Sequence, residues 1–433
     1  MLLLVAALLG GGALLARPAL QVGVGYSAKQ LCSAVFVAGL PDRFVIQRDI
    51  EPRMAVLGPL SGALDLRTEA TRGVAEASLL GVSARAVHKE ERGCVLHETG
   101  TGVAPLAATV PAAAEVGVPA ALSGAFDAAF AEPAGGGRNT LALLVSRGGE
   151  IVAERYAAPV DAGTRLQGWS MNKSLMATWI GMQAQRGALD PSAAVAQLLS
   201  DTALGSGVDA RLTLLHLLQM ESGLDFEERY GPGSDVTNML YRAHDMWREP
   251  AAAGQARAPG ERFYYSSGDT VLASYLWQQS LAEPYPAWIA REFAAPLGVA
   301  SLVAEADAGG TQVGSSYAYM TARDWLRVGQ LWLDAWHGRS DLLEQGWLRA
   351  SVAPRASDAA GRYGRGFWLN TGRGTFAAVP ESMFYASGNS GQFVIVVPQW
   401  ELVVFRAGLT EPSVSSGVDG FLDEMVRQLQ LEG

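Results

Sequence analysis

Residues 168–176 read GWSMNKSLM. Ser170 and Lys173 stand three apart at the head of an apolar run that continues through Trp179, Ile180 and Met182. The longer stretch GWSMNKSLMATWIGMQAQRGALDP predicts a helix. Arg186 falls in its last turn, Gly187 supplies a left-handed cap, and Pro191 lies just beyond. Three residues is nearly one helical turn, so Ser170 and Lys173 share a face. A helix that is apolar almost all round is a buried one. Burial disfavours the charged form of a lysine, and the positive end of the helix pushes the same way. An amine so placed can take the proton of the serine. The helix start also favours negative charge on the serine oxygen and on an oxyanion beside it. The bland alternative is two polar residues on a solvated helix face, and spacing alone does not choose between the two.

Two later stretches offer partners. In PGERFYYSSGD (259–269), Pro259 and Gly260 make a turn, and Tyr264, Tyr265, Ser266 and Ser267 lead through Gly268 into a helix. A tyrosine on a rigid loop can shuttle protons when a cation lies near; otherwise it packs against the helix. In YASGNSGQFVIVVP (385–398), Gly388 and Gly391 precede an apolar strand. Glycine there lets a ligand approach the backbone, and the first N–H of the strand could point at a substrate carbonyl. One such donor stabilises an oxyanion by about 3–4 kcal/mol. The alternative is an ordinary turn into an edge strand. Other nucleophile schemes do worse. GNSGQ departs from the G-x-S-x-G elbow at its last residue, and His216 in LLHLLQM reads as a packed helix residue.

Around these stretches the pattern is mixed. TLALLVSRGGEIVAERYA is the clearest hairpin, two apolar runs flanking Gly148-Gly149. Helices fit ALSGAFDAAFAEP, LTLLHLLQM, DTVLASYLWQQSL, WIAREFAAPL and ARDWLRVGQLWLDAWH, and GVDGFLDEMVRQLQL closes the chain with another. GRGFWLN, GQFVIVV and LVVFRAG read as strands. Strands near both ends with helices between them predict an α/β (α+β) protein whose antiparallel sheet is built from N- and C-terminal segments, flanked by helices, with a helical subdomain inserted. The main part spans 119–433. Residues 21–118 form an extension with little helical periodicity, ending in the Ala-, Pro- and Val-rich linker PLAATVPAAAEVGVPAALSG.

The 433 residues exceed what one core usually serves, and 49% hydrophobic with 18% charged residues excludes a disordered chain. A net charge of -10 and no basic run give no support to a nucleic-acid partner. Residues 1–20, MLLLVAALLGGGALLARPAL, read as a signal peptide or an N-terminal membrane anchor, although no basic residue precedes the apolar run and no clear cleavage site follows it; a buried core helix is the alternative. The expected location is therefore exported, periplasmic or membrane-anchored. In an exported chain the isolated pair Cys32 and Cys94 reads as a disulfide closing a long loop, worth about 3–4 kcal/mol; two unrelated buried thiols are the alternative. The five His are scattered, and no metal or cofactor is expected. The acidic, aromatic loop DFEERYGPGSDVTNMLYRAHDMW (225–247) could line the entrance and hold an amine through Asp225, Glu227 or Asp245, or simply be solvated.

The order of these motifs resembles the serine β-lactamase-like family, which includes penicillin-binding proteins, class C β-lactamases, esterases and 6-aminohexanoate-dimer hydrolases. It is most similar to the last. The resemblance covers roughly residues 120–430, with S-x-x-K at Ser170-Lys173, the tyrosine motif at Tyr265-Ser266-Ser267 and the third triplet at Asn389-Ser390-Gly391. ESGL (221–224), FAAPLGV and YMTARDWLRVGQLWL match its supporting phrases. It implies that Ser170 is acylated, Lys173 takes its proton and Tyr265 protonates the leaving group and later activates water. The backbone N–H groups of Ser170 and Gln392 would form the oxyanion hole, with Ser267, Asn389, Ser390 and Gly391 binding substrate. The family's asparagine in the second motif is Ser267 here, and its lysine in the third is Asn389, which removes a fixed positive charge and weakens the case for antibiotic or D-Ala-D-Ala substrates. The resemblance thus implies a small ester or linear amide as substrate. A D-alanyl carboxypeptidase or β-lactamase is the rival enzyme, and a non-catalytic binding or sensor protein on the same fold is the rival of another class.

Overall fold

The computed structural model describes residues 2–106, 110, 111 and 113–430, with the backbone alone for residues 2–16 and 206. One helix runs from Leu2 to Cys32, straight through position 20. From Leu20 to Ser33 every residue but Gln21 is buried. That explains the missing periodicity. A helix enclosed on all sides needs no apolar stripe, and its sequence shows none. Among the described residues no helix is long and apolar enough to cross a membrane. Short helical turns over residues 42–63 lead to a four-stranded antiparallel sheet, in the order β1 (Asp65–Glu69), β2 (Val74–Leu79), β3 (Val82–Lys89) and β4 (Gly93–Leu96). The sheet is what the short apolar runs of the extension encode.

The extension and the hydrolase-like region share one core, in which Val24, Leu31 and Phe36 belong to the same apolar cluster as Trp179, Trp277 and Trp325. Cys32 and Cys94 are disulfide-bonded, with Cα atoms 5.9 Å apart across a sequence separation of 62. The bridge ties the end of the long helix to β4. Replacing both cysteines with alanine should lower the free energy of unfolding by about 3–4 kcal/mol, read from urea unfolding as a lower midpoint and a steeper slope, because the unfolded chain loses its cross-link and expands. An unchanged free energy would mean that the unfolded chain gains no freedom when the bridge is removed.

The hairpin forms as the sequence predicts. β5 (Thr140–Arg147) and β6 (Glu150–Tyr156) meet through Gly148 and Gly149, both at positive φ. Then β7 (Arg165–Gln167), β8 (Val303–Ala304) and β9 (Ala318–Thr321) make a small three-stranded sheet ordered β7-β9-β8. The C-terminal strands are β10 (Trp368–Leu369), β11 (Phe384–Gly388), β12 (Gln392–Val397) and β13 (Leu402–Gly408). GRGFWLN supplies only the two residues of β10. The main sheet is antiparallel in the order β10-β11-β12-β13-β5-β6, so N- and C-terminal segments do complete one sheet.

Alternation along these strands builds two layers. Leu143, Val145, Ile395, Val397 and Val404 face the helices Ala120–Phe130 and Val418–Leu429. Ala142, Leu144, Val394, Val396, Val403 and Phe405 face the large core that holds Asn172–Gln185, Ser267–Gln279 and Ala322–His337. The linker lies over the surface. Arg323 fastens it by donating to the carbonyls of Ala113 and Ala114, each at 2.9 Å, while pairing with Glu154.

Candidate active site

β7 leads directly into the first motif. Gly168 donates its N–H to the Ala318 carbonyl at 2.8 Å, holding the strand's end against β9. A β-carbon on Gly168 would lie 2.3 Å from the Trp325 ring, so no other residue fits there. Trp169 then takes a left-handed φ of 49°, and Trp169–Met171 forms a single 3-10 turn before the helix Asn172–Gln185 begins. The predicted helix therefore starts later than its sequence suggests. Ser170 sits in the turn, half-buried, and Lys173 lies in the helix's first turn with 1% of its surface exposed. Asn172 anchors the helix start by donating to the Val313 carbonyl at 2.9 Å.

The Lys173 ammonium donates to Ser170 Oγ at 3.2 Å, to Ser267 Oγ at 3.0 Å and to the Ser315 carbonyl at 3.3 Å. It lies 4.7 Å from the centroid of the Tyr265 ring. Tyr265 is half-buried, stacked on Trp368 at 5.3 Å and set edge-on to Tyr363 at 5.8 Å. Its phenol oxygen has no hydrogen-bond partner among the described residues. Ser266 caps the Ser267–Gln279 helix by accepting the Asp269 N–H at 3.0 Å, and Asp269 accepts from the Ser222 hydroxyl at 2.7 Å. The ESGL turn thereby fixes the tyrosine loop. Burial pushes the Asp269 carboxyl up to about 7, against the hydrogen bonds of Ser222 and Ser266.

Sequence reasoning missed Glu228. Its Oε1 accepts from the Ser267 hydroxyl at 2.6 Å and its Oε2 from the Ser267 N–H at 2.7 Å. The Tyr230 hydroxyl joins both groups, 3.1 Å from Ser267 Oγ and 3.2 Å from Glu228 Oε1. Burial pushes the Glu228 carboxyl up, while Lys173 and the Ser267 hydrogen bonds pull it down. The entrance loop thus contributes the residue next to Glu227. Glu227 itself is exposed and pairs with Arg229. The one available signal was the loop's acidic density, which does not single out a position.

The third motif is the hairpin turn between β11 and β12. Gly388 and Gln392 are opposite one another in the ladder, and Asn389, Ser390 and Gly391 make the loop, with φ of 61° at Ser390 and 78° at Gly391. A β-carbon on Gly388 would meet the Gly168 carbonyl at 2.1 Å, so glycine alone lets this strand end close on the turn that carries Ser170. Asn389 is exposed. The Gln392 side-chain amide is committed to the hairpin, donating to the Gly408 carbonyl at 2.6 Å and the Asn389 carbonyl at 3.1 Å. Arg406 backs the loop from beneath, donating to the Gly391 carbonyl at 2.5 Å; burial and Arg138 pull its guanidinium down to about 9.

His216 stands apart from these groups and closes a capping box with Thr213. Among the described residues no group of three or more His, Cys, Asp or Glu side chains could hold a metal ion. The arrangement offers one hydroxyl, one buried amine in hydrogen-bond contact with it, a phenol against that amine, and a glycine-lined backbone edge alongside.

Known proteins resemble this chain in sequence and fold. The family profile described as Beta-lactamase matches residues 126–414. A 6-aminohexanoate-dimer hydrolase from Paenarthrobacter ureafaciens is 30% identical over 244 residues, which is 51% of this chain and 59% of that protein, so the match spans less than two thirds of the relative. A penicillin-binding protein homologue from Caulobacter crescentus superposes with a TM-score of 0.57 at 14% identity, over 72% of this chain and 98% of that one. A family VIII carboxylesterase superposes with a TM-score of 0.54 at 16% identity, over 72% and 98%. The last two share the fold, and the family match covers well over half of the sequence: this chain belongs to the beta-lactamase family of serine hydrolases.

Proposed function

We propose that this chain hydrolyses small esters or linear amides through an acyl-enzyme on Ser170. The observation that carries the proposal is the buried Lys173 amine, 3.2 Å from Ser170 Oγ. In its neutral form that amine accepts the hydroxyl proton as the oxygen attacks the substrate carbonyl. Tyr265, against the amine and with an unengaged phenol oxygen, passes a proton to the leaving group and then activates the deacylating water. The Ser170 N–H and an N–H of the β11–β12 hairpin, expected from Gln392, hold the oxyanion. Asn389, Ser390 and Gly391 flank the substrate's path, whereas Ser267, expected from the sequence to bind substrate, is fully buried and instead holds the Lys173 amine and the Glu228 carboxylate. No residue of the β11–β12 loop is itself cationic, and the name of the Paenarthrobacter ureafaciens relative points to the amide side. The Cys32–Cys94 bridge supports export to an oxidising compartment, with residues 1–20 as a signal or anchor.

The test is intact-protein mass spectrometry after exposure to p-nitrophenyl esters, linear amides and β-lactams. The expected result is an acyl adduct that maps to Ser170, absent from Ser170→Ala, whose kcat falls by roughly a thousandfold or more while its urea midpoint holds. Full activity in Ser170→Ala would sink the mechanism. Fast turnover of nitrocefin or a D-Ala-D-Ala peptide would move the assignment to the rival enzymes.

A further inference from the structure

The extension reaches the active site. Its helical turn Glu51–Met54 carries Arg53, whose Nη2 donates to Ser390 Oγ at 2.5 Å, in the loop that flanks Ser170. The guanidinium also lies 5.9 Å from the ring centroid of Trp169, the residue before Ser170. Its position is fixed from behind. Nε donates to Asp49 Oδ1 at 2.9 Å, and the Tyr26 hydroxyl donates to the same oxygen at 2.8 Å, with the Tyr26 ring 5.6 Å beneath the guanidinium. A guanidinium has five N–H groups. Among the described residues Nη1 has no partner. The side chain is 23% exposed and Asp49 9%, so the guanidinium is more open than its counter-ion. Among the described residues two guanidinium groups bond this loop: Arg406 is 2% exposed and committed beneath it, and Arg53, at 23%, is the more open.

We propose that Arg53 is a specificity-determining residue, delivered by the N-terminal extension, that takes a carboxylate on the substrate. Its unpaired Nη1 edge offers charge-assisted hydrogen bonds to such a group, and a planar guanidinium matches a carboxylate's two oxygens. Asp49 offsets much of the net charge, so selectivity comes from this short-range fit and not from a long-range field. Asn389, exposed on the same loop, adds an amide donor beside it. The preferred substrate is then an ester or amide with a free carboxylate a few bonds from the scissile carbonyl. This rests on Ser170 being the nucleophile.

The test compares two substrates with one leaving group: mono-p-nitrophenyl glutarate and its neutral methyl ester. In the native protein the charged ester should have the higher kcat/KM. In Arg53→Met the ratio of charged to neutral should fall tenfold or more, mostly through KM, and Arg53→Lys should restore part of it. Arg53→Gln keeps a donor for Ser390 without the charge and is read the same way if Arg53→Met fails to fold. An unchanged ratio overturns the proposal. If neither ester is turned over, the acyl-enzyme assignment fails, and glutarate binding by calorimetry still decides the role of Arg53: tenfold weaker binding in the variant supports it, and equal binding overturns it.

Discussion

Lys173→Met should lower kcat by on the order of a thousandfold, the loss expected when a positioned proton acceptor is removed. The same change should leave a second signature. Lys173 pulls the Glu228 carboxyl down while burial pushes it up, and burial already prevails. Without the amine the carboxyl rises further. A carboxyl whose folded value lies above its unfolded value of about 4.3 contributes stability at low pH and loses it as pH rises through the folded value. The single variant should therefore have a urea midpoint that drops as pH rises above the unfolded carboxyl value of about 4.3, more steeply than native protein. Lys173→Met combined with Glu228→Gln removes the half-buried acid, flattens that dependence and stays inactive. Recovery of activity in the double variant would mean that Lys173 serves only to balance Glu228.

This pairing marks the limit of what the sequence reveals. Ser170, Lys173, Tyr265 and Ser267 are legible because each lies in a local pattern: a three-residue spacing on a helix start, or a turn running into a helix cap. The structure brings all four together. The six-stranded sheet is legible for the same reason, since its strands alternate and its best hairpin turns on two glycines. Glu228 is not, because its loop has no period and its position depends on two bonds to Ser267 from 39 residues away. Arg53 is further out of reach, since nothing local connects it to Ser390, 337 residues on. The start of the Asn172–Gln185 helix is displaced by a left-handed Trp169, a conformation that no pattern rule assigns to tryptophan. The oxyanion donor expected from Gln392 rests on the hairpin register, and what the structure adds is the close approach of Gly388 to Gly168.

Lys29→Met should destabilise the whole protein by about 3–5 kcal/mol, the cost of leaving one partner of a buried ion pair alone. Lys29 is 1% exposed and Glu305 0%, and the two bond directly. Ser33 and the Cys94 N–H complete the shell around Glu305, donating to Oε1 at 2.9 Å and 2.7 Å, and the Lys29 ammonium rests 4.2 Å from the Tyr317 ring centroid. Burial pulls the Lys29 amine down against the attraction of Glu305. The pair joins the N-terminal helix, β4 and the Val303–Thr321 region, which also supplies the Ser315 carbonyl to Lys173. Loss of the pair should therefore loosen the setting of the Lys173 amine along with the extension, and kcat should fall in a variant that touches no substrate. The double variant Lys29→Met/Glu305→Leu removes both charges and should recover much of the stability, because replacing a buried pair by apolar groups is far less costly than halving it. Single and double variants with equal urea midpoints would show that the two charges are not coupled, and the extension would then be held by its apolar contacts and its disulfide alone.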